Sequence, residues 1–189
     1  MFAAPIREGL ELRLYEERFA PQLLAAVDAN RDHLMEWLPW PPLHTTLEHS
    51  LDFIRRSRQQ YADGKSINCG IWERGQLVGG LGTHDIDTMN QSVSIGYWLA
   101  KDAEGRGIMT AACRVLLDHL FDGLGLHRVW LEAAEGNTKS RRVAERLGFR
   151  QEGKRIQSHR VGDRWLDMVQ YGILVEEWRT HRPSLVGRR

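Results

Sequence analysis

The segment from residue 95 to residue 110, IGYWLAKDAEGRGIMT, constrains the fold more than any other part of the chain. A predicted strand ends there, a short loop turns, and Gly105 and Gly107 open a helix. Glycine lets backbone amides approach an anion closely, and the free N–H groups of a helix's first turn point outward. The helix dipole adds partial positive charge at this end. The pattern predicts a pyrophosphate site, to which Arg106 could add a charge-assisted contact.

Two other interpretations of these glycines compete with a pyrophosphate site. They could form a flexible helix entry without any ligand. A dinucleotide-binding fold also has a glycine-rich turn at a helix start, and Glu132 could be its ribose-binding acid. However, Thr110 occupies the third glycine position, and residues 101–104 separate the turn from its strand. Three preceding strands joined by short turns also disfavour a doubly wound sheet.

The hydrophobic period changes along the chain and predicts an ordered set of elements. Strands are predicted at residues 10–14, 67–72, 76–81, 91–99, 127–134, 150–159 and 164–175. Helices are predicted at residues 21–30, 47–58, 107–121 and 137–147, the second of them capped by Thr45 or Thr46. Consecutive prolines exclude a helix over residues 37–42. The order βααβββαβαββ predicts an α+β (mixed α/β) domain with a mostly antiparallel central sheet and one strand–helix–strand crossover.

Length and composition limit the partners and the compartment. The 189 residues fit one domain, residues 1–180, followed by a short basic tail at residues 181–189. A formal net charge of +1 gives no field that would select nucleic acid or an anionic membrane as a direct partner. Cys69 and Cys113 lack metal-ligand spacing, which favours free thiols in a reducing compartment and no metal. Without a signal-peptide pattern or an apolar run of about 20 residues, we expect a cytoplasmic protein.

A second motif, EAAEGNTKSRRVAERLGF, covers residues 132–149. A plain N-cap role would explain Asn137 on its own. Together with IGYWL and EGRGIMTAA, however, the motif resembles the GNAT superfamily of acetyltransferases. The resemblance is strongest to the RimJ/RimL-type enzymes, which acetylate the N-termini of ribosomal proteins, and it runs from about Leu10 to Trp178. It implies a GNAT fold with flanking helices, in which two parallel strands splay apart around the pantetheine arm of acetyl-CoA.

The resemblance implies contacts with acetyl-CoA, the expected co-substrate, residue by residue. The backbone of Trp98 and Leu99 would pair with the pantetheine arm, which Asn137 would contact from the other side. The pyrophosphate would be held by the amides of Gly105, Arg106, Gly107, Ile108, Met109 and Thr110. Asp102 departs from the family pattern, which often has Gln or Arg there, but binding through the backbone does not depend on that side chain.

Catalytic residues follow from the same resemblance. Many GNAT enzymes protonate the departing thiolate with a tyrosine, at the position where this chain has Ala144. Ser140 would replace that acid, as in RimL-like enzymes. His159 falls where those enzymes have a glutamate as the proposed base, and histidine titrates near neutral pH. A helix-surface serine and an exposed strand histidine are the structural alternatives.

The acceptor side of the site is expected to include Trp37, Trp40 and His44, unless the tryptophans are core or dimer contacts. His84 is a further candidate for the acceptor side or for the base. The predicted reaction is acetyl transfer to a primary amine, expected to be the N-terminal α-amine of a (ribosomal) protein. Such an amine, with a pKa of roughly 8, is partly neutral already. A small amine (polyamine, antibiotic or amino-acid conjugate) and a non-catalytic CoA-binding protein remain alternatives, and relatives suggest a homodimer.

Overall fold

The computed structural model describes the backbone of residues 3–186 and the side chains of residues 3–182. The strands are β1 Ala3–Arg7, β2 Leu10–Leu14, β3 Asn68–Glu73, β4 Gln76–Thr83, β5 Ser92–Leu99, β6 Arg128–Ala134, β7 Arg150–Val161 and β8 Arg164–Leu174. The helices are α1 Ala20–Ala29, α2 Arg31–Met35, α3 Leu47–Ala62, α4 Ile108–Asp118, α5 Thr138–Arg146 and α6 Val175–Val186.

One mixed sheet organises the domain. Its strand order is β1-β2-β3-β4-β5-β6-β8-β7, and β5 and β6 form the parallel pair. The other neighbouring strands are antiparallel. Helix α4 connects β5 to β6, as a parallel connection requires. The predicted α+β fold with a mostly antiparallel sheet and one crossover is confirmed.

The parallel strands β5 and β6 separate part-way along their length. Their pairing begins at Ser92 and Arg128 and stops at Ser94 and Trp130. Beyond that point β5 stays paired with β4 as far as Leu99, while β6 stays paired with β8. A wedge-shaped gap therefore opens between the carboxyl ends of β5 and β6. Backbone groups that face this gap have no strand partner there and can pair with an extended ligand.

The two faces of the sheet carry different helices and separate cores. On one face, α4 packs over buried residues of β2 to β6 and β8, and on the other face α1 and α3 cover a smaller cluster. Because side chains alternate along a strand, β5 contributes to both. Tyr97 and Leu99 pack against the α4 core, whereas Trp98 packs against the α1/α3 cluster. The last three residues of β5, beside the gap, thus supply side chains to both faces of the sheet.

Four elements described next were not predicted from the sequence. Strand β1 contains Pro5, which an edge strand tolerates because one N–H there needs no partner. Helix α2 is a short continuation of α1, and Pro41–Leu43 forms a 3₁₀ turn inside the proline-rich loop. Helix α6 follows β8 directly and extends to Val186, so part of the predicted tail is helical. Residues 187–189 of that tail lie outside the described residues.

The residues that begin α3 and end α5 agree with the sequence prediction. Thr46, rather than Thr45, caps α3 by accepting a hydrogen bond from the His49 N–H. Gly148 has a φ of +83° after α5, which is the left-handed conformation expected of a helix stop. Among residues 3–186, no helix is both long enough and apolar enough to cross a bilayer.

Candidate active site

The loop between β5 and α4 has the conformation that an anion site requires. Gly105 and Gly107 both have a φ of +73°, where other residues are strained. A Cβ added to either glycine would meet nothing within 4 Å. Backbone conformation rather than crowding therefore requires glycine here, and the space beside each Cα is open. Gly107 is the N-cap of α4, so it has no side chain to occupy the first-turn N–H groups.

The residues after Gly107 offer their amides and not their side chains. Ile108 and Met109 are buried, with 1% and 6% of their surface exposed. Their side chains fix the first turn of α4 to the core, which holds the amide groups in place. Thr110 is half-buried, and its Oγ1 accepts a hydrogen bond of 3.5 Å from Arg146. The structure thus brings the backbone amides that were predicted to hold the pyrophosphate together at the first turn of α4.

Arg106 lies differently from its expected position. Its guanidinium forms an ion pair with Glu73 at the end of β3, with 2.6 Å between Nη2 and Oε1. The Arg106 backbone oxygen also accepts a hydrogen bond from Arg7. In this conformation the Arg106 side chain anchors the loop to β3, and its backbone oxygen anchors the loop to β1. A direct phosphate contact by this guanidinium remains a prediction and would require it to leave Glu73.

Glu104 anchors the other side of the same loop, and sequence reasoning missed it. Its carboxylate contacts Lys139 Nζ at 2.5 Å and His33 Nε2 at 3.3 Å. Because Lys139 lies in α5 and His33 in α2, Glu104 joins the loop to both. The Lys101 N–H also donates to Asn30 Oδ1 at 2.9 Å. None of these long-range partners has a local sequence signal.

Helix α5 begins beside the gap and carries the predicted acid. Asn137 is its N-cap, and Oδ1 of Asn137 accepts a hydrogen bond from the Ser140 N–H at 3.1 Å. This geometry leaves the amide NH₂ of Asn137 available for a ligand. Ser140 is half-buried, and Ala144, one turn further on, is fully buried. The structure therefore places Asn137 and Ser140 together at the start of one helix.

Tyr97 is the partner of Ser140 that the sequence did not reveal. Its hydroxyl lies 3.0 Å from Ser140 Oγ and 3.2 Å from the Ser140 backbone oxygen. Burial raises the pKa of Tyr97 well above that of an exposed phenol, so the hydroxyl stays neutral at physiological pH. The alternation of β5 is a signal that could have found it, because Tyr97 shares a strand face with buried Val93 and Ile95.

His159 lies on β7, away from the Ser140–Tyr97 pair. It pairs with Leu166 of β8 after an irregularity in the ladder, and its ring is half-buried. Leu166 lies on the face of β8 opposite to that of Val169, which packs in the α4 core. By this register His159 lies on the sheet face that carries α1 and α3. Among residues 3–182, no hydrogen bond joins His159 to Ser140 or Tyr97. A general base at this position would approach the gap from the face opposite the acid.

Aromatic side chains line the α1/α3 face beside the gap. The rings of Trp40 and Trp98 meet edge to face, with 6.3 Å between their centroids. Trp37 packs near Gly136, directly before the cap of α5. The exposed ring of His84 lies above Gly96, and its backbone N–H donates to Ser94. The structure thus places Trp37, Trp40 and His84, which the sequence predicted for the acceptor side, around one end of β5 and β6.

His44 has a structural position instead. It is buried, and its Nε2 lies 2.7 Å from Ser50 Oγ. Burial lowers the pKa of His44, and the nearby charges of His49 and Arg31 lower it further. Its ring also meets that of Trp40 at 5.9 Å. His44 therefore supports the loop that carries Trp37 and Trp40, the tryptophan loop. In the part of the chain that the structure describes, no cluster of side chains could hold a metal ion.

A splayed parallel strand pair beside an amide-rich helix start defines an acyltransferase fold that binds a coenzyme A thioester. The pattern of the acetyltransferase (GNAT) domain family matches residues 9–150, so the chain belongs to the GNAT family. It is an acetyl-CoA-dependent N-acetyltransferase of the RimJ/RimL type, as the resemblance predicted.

Relatives match almost the whole chain. The Bacillus subtilis protein YdaF, provisionally named a ribosomal N-acetyltransferase, is 39% identical over 181 residues, which are 94% of this chain and 98% of YdaF. The ribosomal-protein-serine acetyltransferase of Escherichia coli K12 is 26% identical over 171 residues, which are 90% of this chain and 96% of that protein.

A solved structure of RimL, a ribosomal L7/L12 α-N-protein acetyltransferase, in complex with coenzyme A superposes on this fold with a TM-score of 0.89. The two chains are 26% identical, and the match covers 93% of this chain and 99% of RimL. The GNAT fold is therefore confirmed.

Proposed function

We propose that this enzyme acetylates the N-terminal α-amine of a protein, and that ribosomal proteins are its acceptors. The observation that carries this proposal is the charge of the α1/α3 face, where an acceptor must approach. Glu132 is the carboxylate of β6 on that face, and it is paired with Arg155. His84 and His159, the other side chains proposed for this face, bring no carboxylate to it. A polycation such as a polyamine would need unpaired carboxylates, whereas a peptide N-terminus needs an open groove.

The aromatic groups and the relatives support a peptide acceptor. Trp40 and Trp98 form an apolar wall beside the gap, against which the first side chain of a peptide could pack. YdaF and the E. coli relative are both named for ribosomal acceptors. An acceptor of this kind would place the enzyme in the cytoplasm.

The proposed reaction uses the residues as follows. The amides of the Gly105–Gly107 loop and of the first turn of α4 hold the pyrophosphate, and the pantetheine arm extends along β5 into the gap. The α-amine, neutral in part at pH 7, attacks the thioester carbonyl and releases a proton to solvent or to a histidine on the α1/α3 face. The C–S bond then breaks, and Ser140 donates a proton to the thiolate. Positioning of both reactants supplies much of the rate.

A panel of acceptors tests the proposal. Purified enzyme and acetyl-CoA are incubated with peptides that begin with the N-terminal sequences of ribosomal proteins, and CoA release and product mass are measured. Matched peptides with a blocked N-terminus and an internal lysine serve as controls. We expect release with free N-termini and none with blocked ones. Turnover of spermidine or an aminoglycoside, without turnover of any peptide, would refute the proposal.

A further inference from the structure

The Tyr97 hydroxyl is placed to control the orientation of the Ser140 hydroxyl. It reaches α5 from β5 and lies within hydrogen-bond distance of two Ser140 atoms, Oγ and the backbone oxygen. The Ser140 N–H is held by Asn137. The backbone of Ser140 is thus fixed, and the Tyr97 hydroxyl is the protein group bonded to Oγ among the described residues.

Helix α5 lacks the tyrosine that many GNAT enzymes use as the acid, and Tyr97 of β5 brings a phenol to this helix. Ala144 occupies the helix position from which many GNAT enzymes supply a tyrosine acid, and it is fully buried against the core. In this chain the strand β5 supplies a phenol that contacts the same helix. The phenol reaches the helix at Ser140, one turn closer to the cap.

We propose that Tyr97 is a positioning residue for acetyl transfer: its phenolic proton bonds to Ser140 Oγ and turns the serine proton towards the thioester sulfur. The proposal rests on the acid role of Ser140 in the proposed function. When the C–S bond breaks, its electron pair stays on sulfur, and the Ser140 proton moves to the thiolate. The hydrogen bond from Tyr97 stabilises the charge left on Oγ until solvent returns a proton to it. That proton balances the one that the amine released to solvent or to a histidine.

The reverse direction of the hydrogen bond between the Tyr97 and Ser140 hydroxyls would give a different outcome. If Tyr97 donates only to the Ser140 backbone oxygen, the serine proton points at the phenol and away from the gap. Tyr97 would then stabilise the packing of β5 on α5 without assisting the acid. A double-mutant cycle separates these arrangements, because residues that act as a unit have non-additive effects.

The experiment compares Tyr97→Phe, Ser140→Ala and the double variant by kcat and by KM for acetyl-CoA. We expect Tyr97→Phe to lower kcat about tenfold, the effect of losing one hydrogen bond to a reacting group, with KM unchanged. In the Ser140→Ala background the same change should have no further effect on kcat. An equal loss of kcat in both backgrounds, or a rise in KM with kcat unchanged, would overturn the proposal.

Tyr171→Phe is the matched control. The Tyr171 hydroxyl accepts a hydrogen bond from Arg141 of α5 at 2.8 Å and lies 3.3 Å from Glu145 of the same helix. Tyr171 is buried and Tyr97 half-buried, but both hydroxyls bond to α5, and that of Tyr171 does not contact Ser140. We expect its removal to lower thermal stability and to leave kcat unchanged.

The cycle can also be measured on the slow hydrolysis of acetyl-CoA, in which water replaces the amine and the same thiolate leaves. This readout needs no acceptor. If no peptide is acetylated but the cycle remains non-additive in hydrolysis, the acceptor assignment fails and the role of Tyr97 stands. Additive effects together with peptide acetylation would reject the role of Tyr97 alone.

Discussion

The side chain of Asn137 accepts a hydrogen bond from the Ser140 N–H, with 3.1 Å between Oδ1 and N. One amide group therefore both starts helix α5 and fixes the backbone of the proposed acid. We propose that its NH₂ group contacts the pantetheine arm. Asn137 would then affect both the stability of α5 and the binding of the cofactor, and the two effects can be separated by comparison with another capped helix.

Asn137→Ala should lower both stability and cofactor affinity. Loss of the cap costs about 1 kcal/mol of unfolding free energy, and loss of the amide NH₂ should raise KM for acetyl-CoA several-fold. Thr46→Ala is the control, because Thr46 caps α3 in the same way but lies outside the gap. Denaturant unfolding and steady-state kinetics measure the two effects. Equal KM values for both variants would show that Asn137 serves only as a cap.

Gly107→Ala should weaken acetyl-CoA binding. An alanine at a φ of +73° is strained by about 1–2 kcal/mol, and relief of that strain would move the first-turn amides away from the pyrophosphate. Gly125 is the control, since its φ is +66° and a Cβ there also meets nothing within 4 Å. Both variants should lose similar stability. Calorimetric titration with CoA should show an affinity loss of about tenfold for Gly107→Ala only.

The parts of the site that were predictable are those that local sequence determines. The glycine conformations of the loop between β5 and α4 and the Asn137 cap each depend on a few adjacent residues. Alternating hydrophobicity also gave the order of the main strands. The gap between β5 and β6 was expected only from the family resemblance, because the point at which two strands part depends on the pairing of each with its other neighbour.

The remaining features depend on contacts between distant residues. Tyr97 and Ser140 are 43 positions apart, and their contact requires the register of β5 under α5. Glu104 likewise meets His33 and Lys139 only after three elements have packed. Strand β1 was missed for another reason, because its edge position tolerates a proline that disfavours a strand in the sequence.

Ser140→Ala should lower turnover without affecting cofactor binding. A positioned general acid contributes roughly 10²-fold to the rate, and the Ser140 hydroxyl is not among the groups expected to bind acetyl-CoA. Thr138→Ala is the control, because it removes an exposed hydroxyl from the first turn of the same helix. The measurement is kcat and KM for acetyl-CoA with a reactive peptide. An unchanged kcat for Ser140→Ala would exclude Ser140 from the mechanism.

The two cysteines should be unreactive in the folded enzyme. Cys69 and Cys113 are buried, and burial raises the pKa of Cys69 to about 12 and raises that of Cys113 as well. Since the thiolate is the reactive form, Ellman's reagent should label neither thiol until the chain unfolds. Labelling before and after addition of guanidinium chloride tests this expectation. Fast labelling of the folded enzyme would contradict it and would interfere with assays that detect the CoA thiol.

His44 should make the fold less stable in mild acid. Burial lowers its pKa in the folded state below the unfolded value of about 6.5, so below that pH the unfolded chain binds a proton that the folded chain excludes. The stability contributed by neutral His44 is present above about pH 6.5 and is lost as the pH falls towards the folded pKa, with a slope of at most about 1.4 kcal/mol per pH unit.

The comparison of wild type with His44→Gln isolates this contribution from that of other titrating groups. Glutamine does not titrate, and its amide can still bond to Ser50, the partner of His44 at 2.7 Å. Unfolding free energies measured by denaturant from about pH 7.5 to about pH 5.5 should fall more steeply for the wild type than for the variant. Because the Trp40 ring packs against His44, protonation of His44 should also loosen the tryptophan loop. The Trp fluorescence of the wild type should therefore change over this pH range. Parallel stability curves for the two proteins would show that His44 keeps an ordinary pKa in the fold.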